Sequence, residues 1–342
     1  MAHVDVNLGE VVPAIAAQPP KEMISVTKLD DGRTKVRINS SSVSVIQECP
    51  RKANLLLHSR WRAEYESPAT IFGSAVHKAL EIFYSGPVEE RILPKIEDCE
   101  LLAYGHGVPD GLVTRALAGF IEKAQALSAL PETDKRSIQN GVWILYHYFK
   151  TFIDDPYVAI VDEQGPFVER KFSVVVHDCA DLVVEYFGTI DLGVRHIHTG
   201  EVLVADHKTS SVVGNDFYNR LKPNHQYTGY LYGAREVFGL PTFGFLVNCL
   251  QVKEKPKTSR GSLPHYPRQI TTRDVFDFDE FKEAVVRAAK DYVNMLETNS
   301  WPIGPVNSCT MYGGCTFLSV CSAPKSMREN ILSAKFTKGT PS

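Results

Sequence analysis

The sequence predicts an α/β fold in which a central mixed β-sheet is flanked by helices, and three observations carry that prediction. Runs rich in Val, Ile and Phe at about 167–176, 182–195, 201–208 and 243–252 read as strands. Segments with apolar residues three and four apart precede and follow them and read as helices. Finally, two of the apolar runs, Tyr186-Phe-Gly-Thr-Ile-Asp-Leu-Gly-Val194 and Val202-Leu-Val-Ala-Asp-His-Lys-Thr-Ser210, contain Asp191, Asp206 and Lys208. Charges inside buried strands are costly unless something pairs with them.

The elements follow in order. Residues 1–38 contain Pro-Pro-Lys and little periodicity, and read as a flexible N-terminal arm. Asn39-Ser-Ser-Ser42 offers N-caps for a helix through Val43, Val45 and Ile46, which Pro50 kinks or ends. A second helix runs from about Pro68 to Tyr84 with Phe72, Val76, Leu80 and Phe83 on its apolar side. Residues 86–156 read as a helical insertion, with Leu112, Leu117, Phe120 and Ile121 as one stripe and Trp143, Ile144, Tyr146 and Phe149 as another. After the central strands a long helix covers 215–238 and ends near Gly239. The strand 243–252 pairs with 268–272 across a basic connection, and a last helix spans 278–297. One domain therefore covers 39–324, closing with a cysteine segment at 301–324, and 325–342 read as a polar tail.

With 342 residues, 44% hydrophobic and 23% charged, the composition is that of an ordinary globular protein with ample core. There is no apolar run of roughly 20 residues to span a bilayer, and the N-terminus lacks the pattern of a signal peptide. The expected setting is the cytoplasm, with no membrane partner. A net charge of −3 argues against a protein that coats nucleic acid, but not against a local basic groove.

Side chains alternate across a strand, so Asp206 and Lys208 share a face and His207 takes the other. If the strand bearing Asp191 pairs with this one, the two carboxylates converge on one divalent cation. Mg²⁺ or Mn²⁺ takes hard oxygen ligands, polarises a phosphate and lowers the pKa of an attacking water. A lysine beside it stabilises the developing negative charge. An isolated Asp-x-Lys is more often a surface ion pair; the Gly-x-Ile-Asp strand just upstream favours the metal reading. His77, in Gly73-Ser-Ala-Val-His77, would complete a metal shell from a helix, although alone it reads as a satisfied helix histidine. Gln226 and Tyr230, four apart, share a helix face; alone, Tyr230 reads as core.

Of seven cysteines, Cys99, Cys179 and Cys249 are dispersed, whereas Cys309, Cys315 and Cys321 are crowded and Cys49 lies far upstream. Four thiolates hold either Zn²⁺ or a [4Fe–4S] cluster, and spacing alone does not decide between them.

Cys49-Pro-Arg-Lys, Gly73-x-x-x-His77, Gly188-Thr-Ile-Asp191, Asp206-x-Lys208, Gln226-x-x-x-Tyr230 and the terminal cysteines stand in the order seen in RecB-like nucleases of the PD-(D/E)xK superfamily. The chain resembles their iron–sulfur members, which include CRISPR-associated exonucleases and the AddB nuclease domain. The resemblance implies a restriction-endonuclease-like core. It implies His77, Asp191, Asp206 and the backbone carbonyl of His207 as metal ligands, and Lys208 as the catalytic lysine. Gln226 and Tyr230 match the motif associated with DNA handling. Cys49, Cys309, Cys315 and Cys321 match a [4Fe–4S] set that staples the first helix to the chain's end, favoured here over Zn²⁺. The Cys309-x₅-Cys315 spacing departs from the family's usual Cys-x₂-Cys, and Gly313-Gly314 would supply the tight backbone that the longer loop needs. Glu169 matches no catalytic motif strongly and is expected to be a surface glutamate, with an accessory acid of the site as the alternative.

The expected activity is a metal-dependent DNA exonuclease on single strands or duplex ends, serving repair or recombination. The alternative is a non-catalytic DNA-binding or scaffolding subunit that keeps the fold and cluster. Lys253 to Arg260, with Arg268, Arg51, Lys52, Arg60 and Arg62, would contact phosphates, although the run reads equally well as a solvated hairpin loop, and Tyr65, Tyr84 and His77 would stack on bases. No Walker-type loop occurs, so strand separation would come from a partner helicase.

Overall fold

A strand of 15 residues, Leu182–His196, is the axis of the fold in a computed structural model that describes residues 3–4, 23–258, 261–310 and 314–339. Its neighbours define the labels used below: β1 (Ile24–Lys28), β2 (Thr34–Ile38), β3 (Val168–Asp178), β4 (Leu182–His196), β5 (Val202–Ser210), β6 (Gly244–Gln251) and β7 (Arg268–Thr272). The sheet runs β7-β6-β5-β4-β2-β1, and β4 also pairs with β3 and with a short strand, Tyr157–Ala159. Strands β4 and β5 are antiparallel, whereas β5–β6 and β4–β2 are parallel, so the sheet is mixed as the sequence predicts.

The helices that concern the site are α1 (Ser40–Glu48), α2 (Pro68–Ser85), α3 (Ile96–Ala103), α4 (Leu112–Lys123), α5 (Ile138–Thr151), α6 (His225–Phe238) and α7 (Val275–Thr298). Period-two alternation sorts the strand residues into two cores. Leu203, Ala205, Leu246 and Leu250 pack with α2 to α5, while Val204, Phe245 and Val247 pack with α1, α6 and α7. Helices thus cover both faces. Local chemistry sets their ends: Asn39 accepts from Ser42 N and Ser67 from Thr70 N, and Asp274 and Asp277 form a capping box at the start of α7. Among the described residues, no helix is long and apolar enough to cross a membrane.

Three expectations need correction. Within the described part of the predicted arm, residues 24–38 form a hairpin built into the sheet, with β2 parallel to β4 from Thr34↔Leu182 to Ile38↔Tyr186; residues 5–22 lie outside the described part. The predicted polar tail carries a helix, Arg328–Lys335, and a strand, Phe336–Lys338, paired with Trp61–Ala63, because Leu332 and Phe336 are buried against Phe317 and Val320. The long helix expected over 215–238 is two, Asn215–Tyr218 and α6. Lys222–Pro223 is a cis bond between them, and Asn224 caps the second, its side chain accepting from Tyr227 N.

Candidate active site

Asp191 sits where β4 changes partners. Pairing with β2 runs to Tyr186 and with β3 to Ile190, while β5 takes over from Leu192 and the short strand from Val194. The buried residues change layer at the same point: Val184, Tyr186 and Ile190 belong to one core, Leu192 and Val194 to the other. The sheet splays here as β4 passes from β3 to β5, and Asp191 lies at the splay with its side chain 12% exposed. Its Oδ2 accepts from the backbone N–H of His207 at 3.2 Å and lies 3.2 Å from His77 Nδ1 on α2.

Asp206 and Lys208 project from β5 toward α6, as alternation predicts. Lys208 Nζ lies 3.0 Å from Asp206 Oδ1 and 2.7 Å from Oδ2. The ammonium is also 5.9 Å from the centroid of the Tyr227 ring. Gln226 Nε2 donates to Tyr230 Oη at 3.1 Å, and Tyr230 packs over Gly188, where an added Cβ would meet its ring at 3.0 Å and Phe172 at 2.9 Å. The glycine in Gly188-Thr-Ile-Asp191 is therefore a close-approach requirement of α6 against β4.

The electrostatics separate the two carboxylates. Burial raises the pKa of both, but Asp191 is held below the usual carboxylate range by its hydrogen bond and charge contact with His77. For Asp206 burial wins over the Lys208 ammonium and pushes it up to about 7. Burial opposes the His77 imidazolium, yet Asp191 and the Asp206 charge outweigh it and raise His77 to about 9. Burial depresses His207 to about 3, so that imidazole is neutral. Asp191 and Asp206 offer oxygen donors to a cation, and His77 offers a nitrogen once it releases its proton.

Glu169 is exposed, as expected of a surface glutamate, and it also stands beside the candidate site. Arg170↔Ile190 is the last rung of β3 with β4, so Glu169 stands just beyond it, beside Asp191. Its backbone is left-handed (φ +51°), uncommon for a residue with a Cβ. His77, Glu169 and Asp191 each offer a ligand atom, and these atoms lie within 4.8 Å of one another. Two carboxylates and an imidazole in that space fit a hard divalent cation, with Asp206 on the neighbouring strand. The signal in the sequence was an acid at the start of a strand preceding the Gly-x-Ile-Asp strand, too common to stand out.

Residues 37–322 match the PD-(D/E)XK nuclease superfamily. The chain belongs to that superfamily. A solved structure from Eubacterium rectale, described as a candidate exonuclease, aligns with a TM-score of 0.42 and 10% identity, covering 84% of this chain and 93% of that one. No curated protein matches. PD-(D/E)XK nucleases typically use divalent metals such as Mg²⁺, and the donor set at the splay of β4 has the hard character such an ion takes.

Away from that site, the PD-(D/E)XK chain brings its four singled-out cysteines together. Cys49, Cys309, Cys315 and Cys321 line one cavity with Glu48, Lys52 and Phe317. Cys49 is the extended residue between α1 and the helix Pro50–Ala53, so the proline ends one helix and starts the next. Gly304 N donates to Cys49 Sγ at 3.2 Å, Arg51 N donates to Pro302 O at 3.0 Å, and Cys315 N donates to Cys309 O at 2.9 Å. Gly314 has φ +91°, a conformation suited to glycine; Met311–Gly313 lie outside the described residues.

Two expected nucleic-acid contacts in this PD-(D/E)XK nuclease are not available. Arg268 is committed to Asp155, with Nη1 at 2.7 Å and Nη2 at 2.6 Å, and Tyr84 is buried against His207, the ring centroids 5.6 Å apart. Arg62 donates to Leu56 O at 2.5 Å and Lys52 is paired with Glu48, whereas Tyr65 is exposed.

Proposed function

We propose that this nuclease is a divalent-cation-dependent DNA exonuclease of the RecB-like kind, acting on single strands or duplex ends. One observation supports the reading: His77, Glu169 and Asp191, on three elements, offer ligand atoms within 4.8 Å of one another, while Asp206, ion-paired with Lys208, lies on the neighbouring strand. Asp191, Asp206, His77 and the His207 carbonyl would hold Mg²⁺ or Mn²⁺, with Glu169 as a further ligand. The bound ion supplies Lewis-acid polarisation of the phosphate and a water of lowered pKa. Lys208 neutralises charge that develops on the phosphate oxygens, and Asp206 orients its ammonium. Gln226 and Tyr230, linked through the Tyr230 hydroxyl, line the approach for the DNA strand.

The cysteine cavity supports a second assignment within the same reading. Cys49, Cys309, Cys315 and Cys321 would hold a [4Fe–4S] cluster, with the Gly304 amide donating to a ligand sulfur. Such a cluster staples α1 to the C-terminal segment and fits a reducing cytoplasmic setting. Strand separation would fall to a partner helicase in repair or recombination.

The decisive experiment incubates the anaerobically purified protein with Mg²⁺ or Mn²⁺ and with DNA labelled at either end, single-stranded, duplex and circular. Cation-dependent release of nucleotides from linear strands is expected, with circles spared. Intact substrate at high protein concentration, with DNA still bound, would indicate a binding subunit instead. Iron and sulfide content decides the cluster; stoichiometric zinc without iron overturns it.

A further inference from the structure

His207, Asn248 and Arg268 stand side by side on three adjacent strands, His207↔Asn248 across β5–β6 and Asn248↔Arg268 across β6–β7. All three side chains enter one polar cluster under α2 and α5, on the sheet face opposite Asp206 and Lys208. Arg268 Nε donates to Asn248 Oδ1 at 3.2 Å. An arginine only donates, so this bond fixes the amide's orientation and turns Nδ2 away from it. Nδ2 then donates to His207 Nδ1 at 2.8 Å and to Tyr148 Oη at 2.7 Å. His207 must therefore present an unprotonated Nδ1. The far end is anchored: Arg268 binds Asp155, Tyr84 Oη donates to Asp155 Oδ2 at 2.9 Å, and Tyr84 and Tyr148 hydroxyls are 2.8 Å apart. The Tyr84 ring also stacks on His207 at an interplanar angle of 19°.

His207 is the residue whose backbone N–H holds Asp191, and it lies between Asp206 and Lys208. We infer that Asn248 is a positioning residue for the cation site. By fixing the His207 ring it fixes the backbone that orients Asp191 and carries Asp206. The inference rests on the proposed cation site. A fully bonded buried network has one arrangement of low energy, which is why it can hold a strand in one place. Partners behind metal ligands are commonly worth 10–100-fold in affinity.

The test is Mn²⁺ binding by calorimetry, together with imidazole ¹⁵N spectra of the metal-free protein. In Asn248→Asp a carboxylate replaces the donor, so His207 must carry a proton on Nδ1 to keep a bond. We expect that change in the His207 signal and Mn²⁺ binding weaker by about tenfold or more, with circular dichroism unchanged. A changed signal with affinity within about twofold would overturn the inference, as would weaker binding with the His207 signal unchanged. If Asn248→Asp does not fold, Tyr148→Phe removes one acceptor of the same amide. About threefold weaker binding is then expected, and unchanged binding in the folded variant counts against Asn248. Asp206→Asn is the control: if it binds Mn²⁺ as the parent does, the cation site itself is misassigned and the inference falls with it.

Discussion

The Lys208 ammonium lies 2.7 Å from Asp206 Oδ2, yet Asp206 is held up to about 7 because burial outweighs its cation. Removing the lysine therefore does not strand a buried carboxylate, since the acid can take up a proton. Lys208→Ala is expected to fold and to bind Mn²⁺ and DNA, while cleavage falls at least about a hundredfold, as when one transition-state donor is deleted. Single-turnover cleavage with saturating Mn²⁺ measures it; cleavage undiminished in the variant removes Lys208 from the mechanism.

Glu169 offers a separable pair of effects. Its left-handed backbone is strained by about 1 kcal/mol for a residue with a Cβ, and its carboxylate stands with His77 and Asp191. Glu169→Gly relieves the strain and deletes the carboxylate, so thermal stability should hold or rise while Mn²⁺ affinity drops. Glu169→Gln keeps the strain, and should lose affinity without any gain in stability. Parallel melting curves and Mn²⁺ titrations report both. Affinity equal to the parent in both variants would make Glu169 a structural residue.

These residues differ in how legible they are. Asp191, Asp206 and Lys208 stand out in the sequence because charges interrupt an apolar alternation, and alternation alone puts Asp206 and Lys208 on one face. Glu169 does not stand out, because its value comes from a backbone angle and from β3 ending beside Asp191. Arg268 carries the same charge in the sequence as any phosphate-binding arginine; only the buried Asp155 beside it changes its role. The hairpin β1–β2 was legible in principle, since Asp30-Asp31-Gly32 separates two short alternating runs and Gly32 has φ +84°. The break before α6 was likewise written in Pro223.

Glu185 in β4 gives a pH dependence away from the cation site. It accepts from Arg37 Nε at 2.9 Å, pairs with Lys35 and takes the Ser173 hydroxyl. Burial favours its neutral form, but these donors outweigh it and bring the pKa from 4.5 down to about 2. A carboxyl depressed in the folded state contributes stability fully above its unfolded value, and loses it as pH falls through the folded one. Glu185→Gln should cost about 1 kcal/mol at neutral pH, because the cluster is partly solvated. The difference should shrink between 4.5 and about 2. Urea midpoints at neutral and acid pH check this; a gap that persists in acid would assign the loss to packing.

Gly304 is where the C-terminal segment meets α1. A Cβ there would run into the Glu48 carbonyl and lie 2.9 Å from Cys49 Cα, both backbone atoms that cannot swing aside. Gly304→Ala must push the segment away, lengthening the Gly304 N–H to Cys49 Sγ bond of 3.2 Å and moving Cys49 relative to Cys309, Cys315 and Cys321. Overpacking of this kind costs about 1–3 kcal/mol. If the four thiolates hold a cluster, its loss from the variant should exceed what that destabilisation explains, because the geometry of a ligand changes directly. Iron content and visible absorbance after aerobic purification compare the two proteins. Ser308→Ala, which touches the same cavity without that clash, should retain the parent's iron. Equal iron in parent and Gly304→Ala would separate Cys49 from the cluster and leave the clasp purely a packing contact.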